Sequence, residues 1–258
     1  MVTIKILSKE LSKKAESALS CLASELQFPI KYLSMSALPN TRGYAFGAVD
    51  AYPRDGCYKV WLREDLQEDI FEANLLHEVR HIVQIEAAYP CVLNKDTADF
   101  HSNSKAFVEE VGSRIGSVVL DTDVNIWLEN AGFSHTYFDI INYNNCIKFS
   151  NTNYTHLDDA LNFANLVLAL LSITYNATQA QAKTLFDAYK KYPLALDAVK
   201  DLSAYLLENP PTTQVSAFRA LGTIIERLNL WPTYYISLNG KKTRTSKEFR
   251  VNGSYYEL

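Results

Sequence analysis

The stretch Leu75-Leu76-His77-Glu78-Val79-Arg80-His81-Ile82-Val83-Gln84-Ile85-Glu86 places two of the chain's five histidines four positions apart, with a glutamate directly after the first. On an α-helix, residues i and i+4 project from one face, so both imidazoles can address a single ion. Glu78 follows His77 by about 100° around such a helix, where a carboxylate reaches a water on that ion without becoming a ligand itself. H-E-x-x-H spacing therefore offers two zinc ligands and a general base for the attack of water on a carbonyl. The competing reading of the same residues is an ordinary amphipathic helix, because Phe71, Leu75, Val79 and Ile82 make an apolar stripe through them.

Positioning two imidazoles requires a rigid frame, and the pattern on either side supplies one. Apolar periodicity predicts a helix from Leu66 or Asp69 to about Ala88, ended by Tyr89-Pro90. Before it, GYAFGAVDAYPRDGCYKVWL reads as a hairpin turning at PRDG, and PIKYLSMSAL and VTIKIL read as further strands. The first helix is expected over Lys9–Gln27. After a loop at Cys91–Asn103, Ser104 to Asn130 carries a long helical pattern closed by Gly132 as C-cap. An Asn-rich connection leads to four more helices between His156 and Leu230, then to a β tail with hairpin turns at Asn239-Gly240 and Asn252-Gly253. This order gives an α+β fold in one domain, 1–258, with a helical subdomain at 150–232 and a β tail at 233–258.

The run from Tyr58 to Glu86, a strand leading into HEVRH, resembles the core of the zincin metallopeptidases, and His77, Glu78 and His81 match their motif. The resemblance covers about the middle third of the chain, from the hairpin to Trp127, and points to no more specific family. It implies a zincin-like core: a small mixed sheet, an active-site helix and a second helix carrying another ligand. Zn2+ is the cofactor it implies, and a peptide or protein is the substrate.

A catalytic zinc takes three protein ligands and keeps one position for water. The metzincin extension is absent, since Gln84 and Ala87 stand where it has glycine and histidine. A glutamate on the following helix, as in the gluzincins, is the natural third ligand, and Glu109 and Glu110 are both placed for it. Glu109 is preferred because it shares a helix face with Gly112, Ser113 and Gly116, small residues that permit close approach of two helices. Glu110 shares its face with Arg114, a natural i,i+4 surface pair. Asp121 is the rival: with Asn125 it resembles the D-x-x-x-N segment that follows H-E-x-x-H in some bacterial metallopeptidases.

Composition limits the other possibilities. A net charge of −4 argues against a globally basic nucleic-acid binder, and no stretch approaches the length of a membrane span. The lysines near the start interrupt any signal-peptide pattern, so the expected compartment is the cytoplasm. Cys21, Cys57, Cys91 and Cys146 lack C-x-x-C spacing and read as free thiols. Tyr137, Tyr143, Tyr154, Tyr234, His135 and His156 are weighed as oxyanion donors, with packing roles the commoner outcome. Lys241, Lys242, Arg244, Lys247 and Arg250 form a basic patch on the tail, better read as edge-strand charges than as a nucleic-acid surface. The sequence thus points to a zinc metallopeptidase. A catalytically inactive zincin-like protein that binds a peptide or partner is the alternative, and a metal-free helical interaction protein is the third reading.

Overall fold

The computed structural model describes residues 4–37, 46–50, 53, 55–95, 105–238 and 241–243, the last three by their backbone alone. It is an α+β fold whose described chain divides into two compact units, one of 1–88 with 124–137, the other of 89–123 with 138–258. The turns at Asn239-Gly240 and Asn252-Gly253 and the side chains of the basic patch lie outside the described residues. Among the described residues, no helix is long and apolar enough to cross a membrane, and all four cysteines are free thiols.

The first unit begins with a short hairpin, β1 (Lys5–Ile6) with β2 (Lys9–Glu10). That hairpin takes up residues expected in the first helix, so α1 starts only at Lys13 and runs to Ser24. Ser12 makes the boundary: its hydroxyl accepts from the Ala15 N–H and caps the helix. Next come β3 (Ile30–Ser34), β4 (Gly47–Asp50) and β5 (Tyr58–Leu62). β5 sits at the centre of a mixed sheet, parallel to β3 and antiparallel to β4, with Gly47 opposite Leu62. The hairpin expected from the sequence is the β4–β5 pair. The inward residues Tyr58, Val60 and Leu62 alternate with half-buried ones, as a sheet covered on one face requires.

α2 (Glu68–Glu86) packs on this sheet and on α1. Its acidic first turn, Glu68 and Asp69, complements the positive end of the helix. Two buried polar groups tie it to its surroundings. Glu72 accepts from the Ser12 backbone and, at 2.9 Å, from the Ser12 hydroxyl. Asn74 donates to the Phe46 carbonyl at the entrance to β4, at 3.0 Å. Both bonds offset the cost of burying polar side chains, roughly 1–3 kcal/mol each when left unmade.

α3 (Lys105–Asn130) is unbroken, and the division between the units falls within it, after Asp123. Its last turns, from Val124 on, belong to the first unit, where Arg80 of α2 lies over the Trp127 ring. Gly132, at φ +78°, ends it in the left-handed region that glycine adopts without a Cβ penalty.

The second unit holds a sheet of β6 (Cys91–Asn94), β7 (Tyr234–Leu238) and β8 (Lys241–Thr243), all antiparallel in the order given. β6 occupies part of the stretch expected to be a loop. A further helix, α4 (Thr136–Phe149), fills the expected Asn-rich connection. The four expected helices follow as α5 (Ala160–Thr174), α6 (Gln179–Ala188), α7 (Pro193–Glu208) and α8 (Gln214–Arg227). Their apolar faces close one core with the first part of α3 and with β7, including Val111, Ile115, Val167, Leu170, Leu202 and Phe218.

Replacing Ser12 by Ala removes a helix cap and a partner of the buried Glu72 carboxylate together. Ser12→Ala is expected to lower stability by about 1–3 kcal/mol, read as a shift of the urea unfolding midpoint at unchanged m-value.

Candidate metal centre

Between Phe71 and Gln84 every residue of α2 is buried except His77, Arg80 and His81. These three occupy positions i, i+3 and i+4 and so form a single stripe. The apolar residues around them, Leu75, Leu76, Val79, Ile82 and Val83, face the interior of the first unit and fix the rotation of the helix. The imidazoles are therefore held by the packing of their neighbours on the one stripe of this stretch that stays partly exposed.

Within the stripe, the Nε2 atoms of His77 and His81 stand 3.0 Å apart, with the rings edge to face. Two nitrogens at about 2.0–2.1 Å from a tetrahedral zinc would stand about 3.3 Å apart, so the pair is close to the spacing of two ligands on one ion. His81 is oriented from behind. Its Nδ1 lies 2.9 Å from Oε1 of the buried Gln84, one turn further along α2. With an amide oxygen facing it, Nδ1 carries the proton and donates, which leaves the Nε2 lone pair directed outward. With that tautomer, the 3.0 Å contact between the two Nε2 atoms would be a hydrogen bond from His77 to His81. An ion could take the place of this hydrogen bond with the His77 proton on Nδ1.

The third donor comes from α3. One ligand atom each from His77, His81 and Asp121 lie within 4.8 Å of one another, and all three side chains are half-buried. Asp121 shares a helix face with Val124 and Leu128, which are fully buried residues of the first unit. Its position less than one turn before Val124 on the same unbroken helix follows from that packing. Two neutral imidazoles and one carboxylate are a donor set that suits zinc, and such a set leaves a fourth position open.

The other sequence-selected acids stand elsewhere. Glu109 is exposed, its side chain 54 % accessible, and pairs with Lys105 at 3.7 Å. The small-residue face expected to admit the histidine helix is used within the second unit instead. A Cβ at Gly112 would stand 3.0 Å from the Tyr234 ring of β7, while nothing lies within 4 Å of one at Gly116. Glu110 pairs with Arg114 at 3.0 Å along the same helix. Glu78 is buried and is not among the three clustered donors; its side chain lies against β4 at Gly47.

Of the side chains weighed as oxyanion donors, Tyr234 is buried with its hydroxyl donating 2.7 Å to the Val108 carbonyl, a structural bond. Tyr154 packs with Tyr189 and Tyr192 in the second unit, and Tyr143 lines the core there. His135 lies 3.7 Å from the Glu129 carboxylate, and His156 is exposed in a left-handed turn. Tyr137 packs beside the start of β4, its ring edge-on to Phe46. Gln84 and Asn74 had no place in the motif, although each is a polar residue inside an apolar helix run, which is a signal of its own.

No protein-family model matches the chain, and neither a curated protein nor a solved structure matches it.

Gln84 sets the tautomer of His81, and that effect can be read without any metal. In long-range 1H–15N correlation spectra neutral His81 is expected as the Nδ1–H form, and Gln84→Leu is expected to shift it to a mixture rich in Nε2–H.

Proposed function

We propose that this chain is a zinc-dependent metallopeptidase whose ion is held by His77, His81 and Asp121 and whose general base is Glu78. The observation that carries the reading is the convergence of the three half-buried donors within 4.8 Å of one another, two of them on the partly exposed stripe of α2. It adds to the H-E-x-x-H spacing a third ligand from a different helix, and the residue that supplies it is Asp121 rather than Glu109.

When bound, a zinc ion supplies Lewis acidity, bringing a water in its open position to deprotonation near neutral pH. The chain's own groups perform the remaining work. His81 presents an outward lone pair because Gln84 holds its Nδ1 proton. Asp121 brings negative charge that offsets part of the ion's. Glu78 takes the proton from the attacking water as the water adds to a peptide carbonyl, then passes it to the departing amine nitrogen, which breaks the C–N bond. One glutamate thus serves as base and then as acid, and its burial keeps competing water from that transfer. A zinc-binding protein that holds a peptide without cutting it differs from this enzyme only in the chemical step, so binding and turnover must be measured separately.

The test uses the full chain, zinc analysis after dialysis and a random peptide library read by mass spectrometry. Wild type is expected to hold one zinc and to cut the library. His77→Ala and Asp121→Ala are expected to weaken zinc binding by about 10²-fold or more, and Glu109→Ala and Glu110→Ala to leave it unchanged. Glu78→Gln is expected to keep the zinc and lose about 10³-fold or more in rate. Zinc retained without any library cleavage by wild type would overturn the peptidase reading, and equal zinc affinity in Asp121→Ala would overturn the ligand set.

A further inference from the structure

Glycine is uncommon inside a strand, because it weakens the strand and offers no side chain to pack. Gly47 opens β4 all the same, and it is not one of the glycines with positive φ, so no left-handed backbone calls for it. What requires it is space. A Cβ built there would stand 2.6 Å from Glu78 Cγ, 2.6 Å from Glu78 Oε1 and 2.7 Å from Glu78 Cδ, and no real Cβ approaches another atom so closely.

The strand is held in place on its β5 side and at its entrance. β4 is laddered to β5 from Gly47 through Asp50. At its entrance, the Phe46 carbonyl accepts from the Arg63 N–H at 3.2 Å and from Asn74 Nδ2 at 3.0 Å. Asn74 lies one helical turn before Glu78 on α2. The turn of helix that carries Glu78 is thus bonded to the residue next to Gly47. Glu78 is itself only 9 % exposed, so its carboxylate rests between a buried helix and a fixed strand backbone.

We propose that Gly47 is a positioning residue for the reaction: the bare backbone of β4 at this point is one wall of the slot that aims the Glu78 carboxylate. A methyl group at position 47 meets Glu78 before anything else, and it turns the carboxylate out of the slot while the proposed zinc ligands, about 100° (His77) and 60° (His81) away around α2, stay in place. The inference rests on Glu78 being the general base.

The experiment compares wild type, Gly47→Ala, Glu78→Gln, Glu78→Ala and the Gly47→Ala/Glu78→Ala pair, as full-length zinc-loaded chains. It measures zinc content, thermal midpoint, and kcat and KM on a fluorogenic peptide of the sequence cut best in the library. Gly47→Ala is expected to keep its zinc, to lose about 10²-fold in kcat and to leave KM within about twofold, because a displaced base costs the chemical step and not ground-state binding. It is also expected to lower the midpoint by about 5 °C through overpacking. In the Glu78→Ala background, where Cγ and Cδ are gone, the same substitution is expected to shift the midpoint by less than about 1 °C.

A kcat unchanged in Gly47→Ala while Glu78→Gln is inactive overturns this inference alone. Activity retained in Glu78→Gln overturns the base assignment and this inference with it. An equal loss of midpoint in both backgrounds shows a role independent of Glu78 and overturns the proposal. Should Gly47→Ala not fold by itself, the pair of substitutions decides: a midpoint near that of Glu78→Ala supports the contact, and an unfolded pair overturns it.

Discussion

Burial of α2 on nearly every side is the constraint from which the geometry of the candidate centre follows. A helix covered by α1 and by the sheet cannot rotate without exposing Leu75, Val79 or Ile82, and burying such side chains is worth roughly 1.5–3 kcal/mol each. Its orientation is therefore set by apolar packing, and the histidines inherit a fixed direction that they could not obtain from their own contacts. Polar side chains placed in so dry a helix would be costly if left alone. Glu72 and Asn74 instead hold α1 and β4 against it, and Gln84 holds an imidazole.

The same helix solves two problems on two faces. One stripe presents His77 and His81 outward, while Glu78, about 100° further round, is pressed against β4. In the proposed enzyme, ligands and base would thus be separated by helical geometry. α3 contributes through a comparable division. The face bearing Leu128 also bears Asp121, whereas Glu109 lies about 120° from Asp121 and is exposed.

Much of this was readable from residues alone, for reasons specific to each element. The H-E-x-x-H helix, the β4–β5 hairpin, the long α3 with its Gly132 cap and the helices α5–α8 depend on local periodicity and punctuation, which sequence displays directly. β6 did not, because its partner β7 lies about 140 residues later and a four-residue strand has no pattern of its own. α4 was concealed by its asparagines and by having no fully buried residue, so its apolar stripe is faint. The start of α1 was misplaced because Lys9 and Glu10 pair with Ile6 and Lys5 before Ser12 caps the helix.

For the candidate centre, spacing singled out His77, Glu78 and His81, and Asp121 stood only as an alternative. Small side chains on α3 mark where something approaches closely, and they do not say what. At Gly112 the neighbour is Tyr234. Helix phase alone does not separate Asp121 from Glu110, which lies three turns earlier on the same face of α3 and pairs there with Arg114; position along the helix does. The parallel pairing of β3 with β5 and the clearance at Gly47 are tertiary facts that a single sequence records only as a strand-like run and an out-of-place glycine.

The ligand set is tested most directly by X-ray absorption on the full chain loaded with one equivalent of zinc. The spectrum is expected to show four light ligands at about 2.0–2.1 Å, with the outer-shell scattering of two imidazoles and no sulfur. A shell containing a cysteine sulfur, one imidazole or none, or a six-coordinate all-oxygen environment would contradict a centre built from His77, His81 and Asp121.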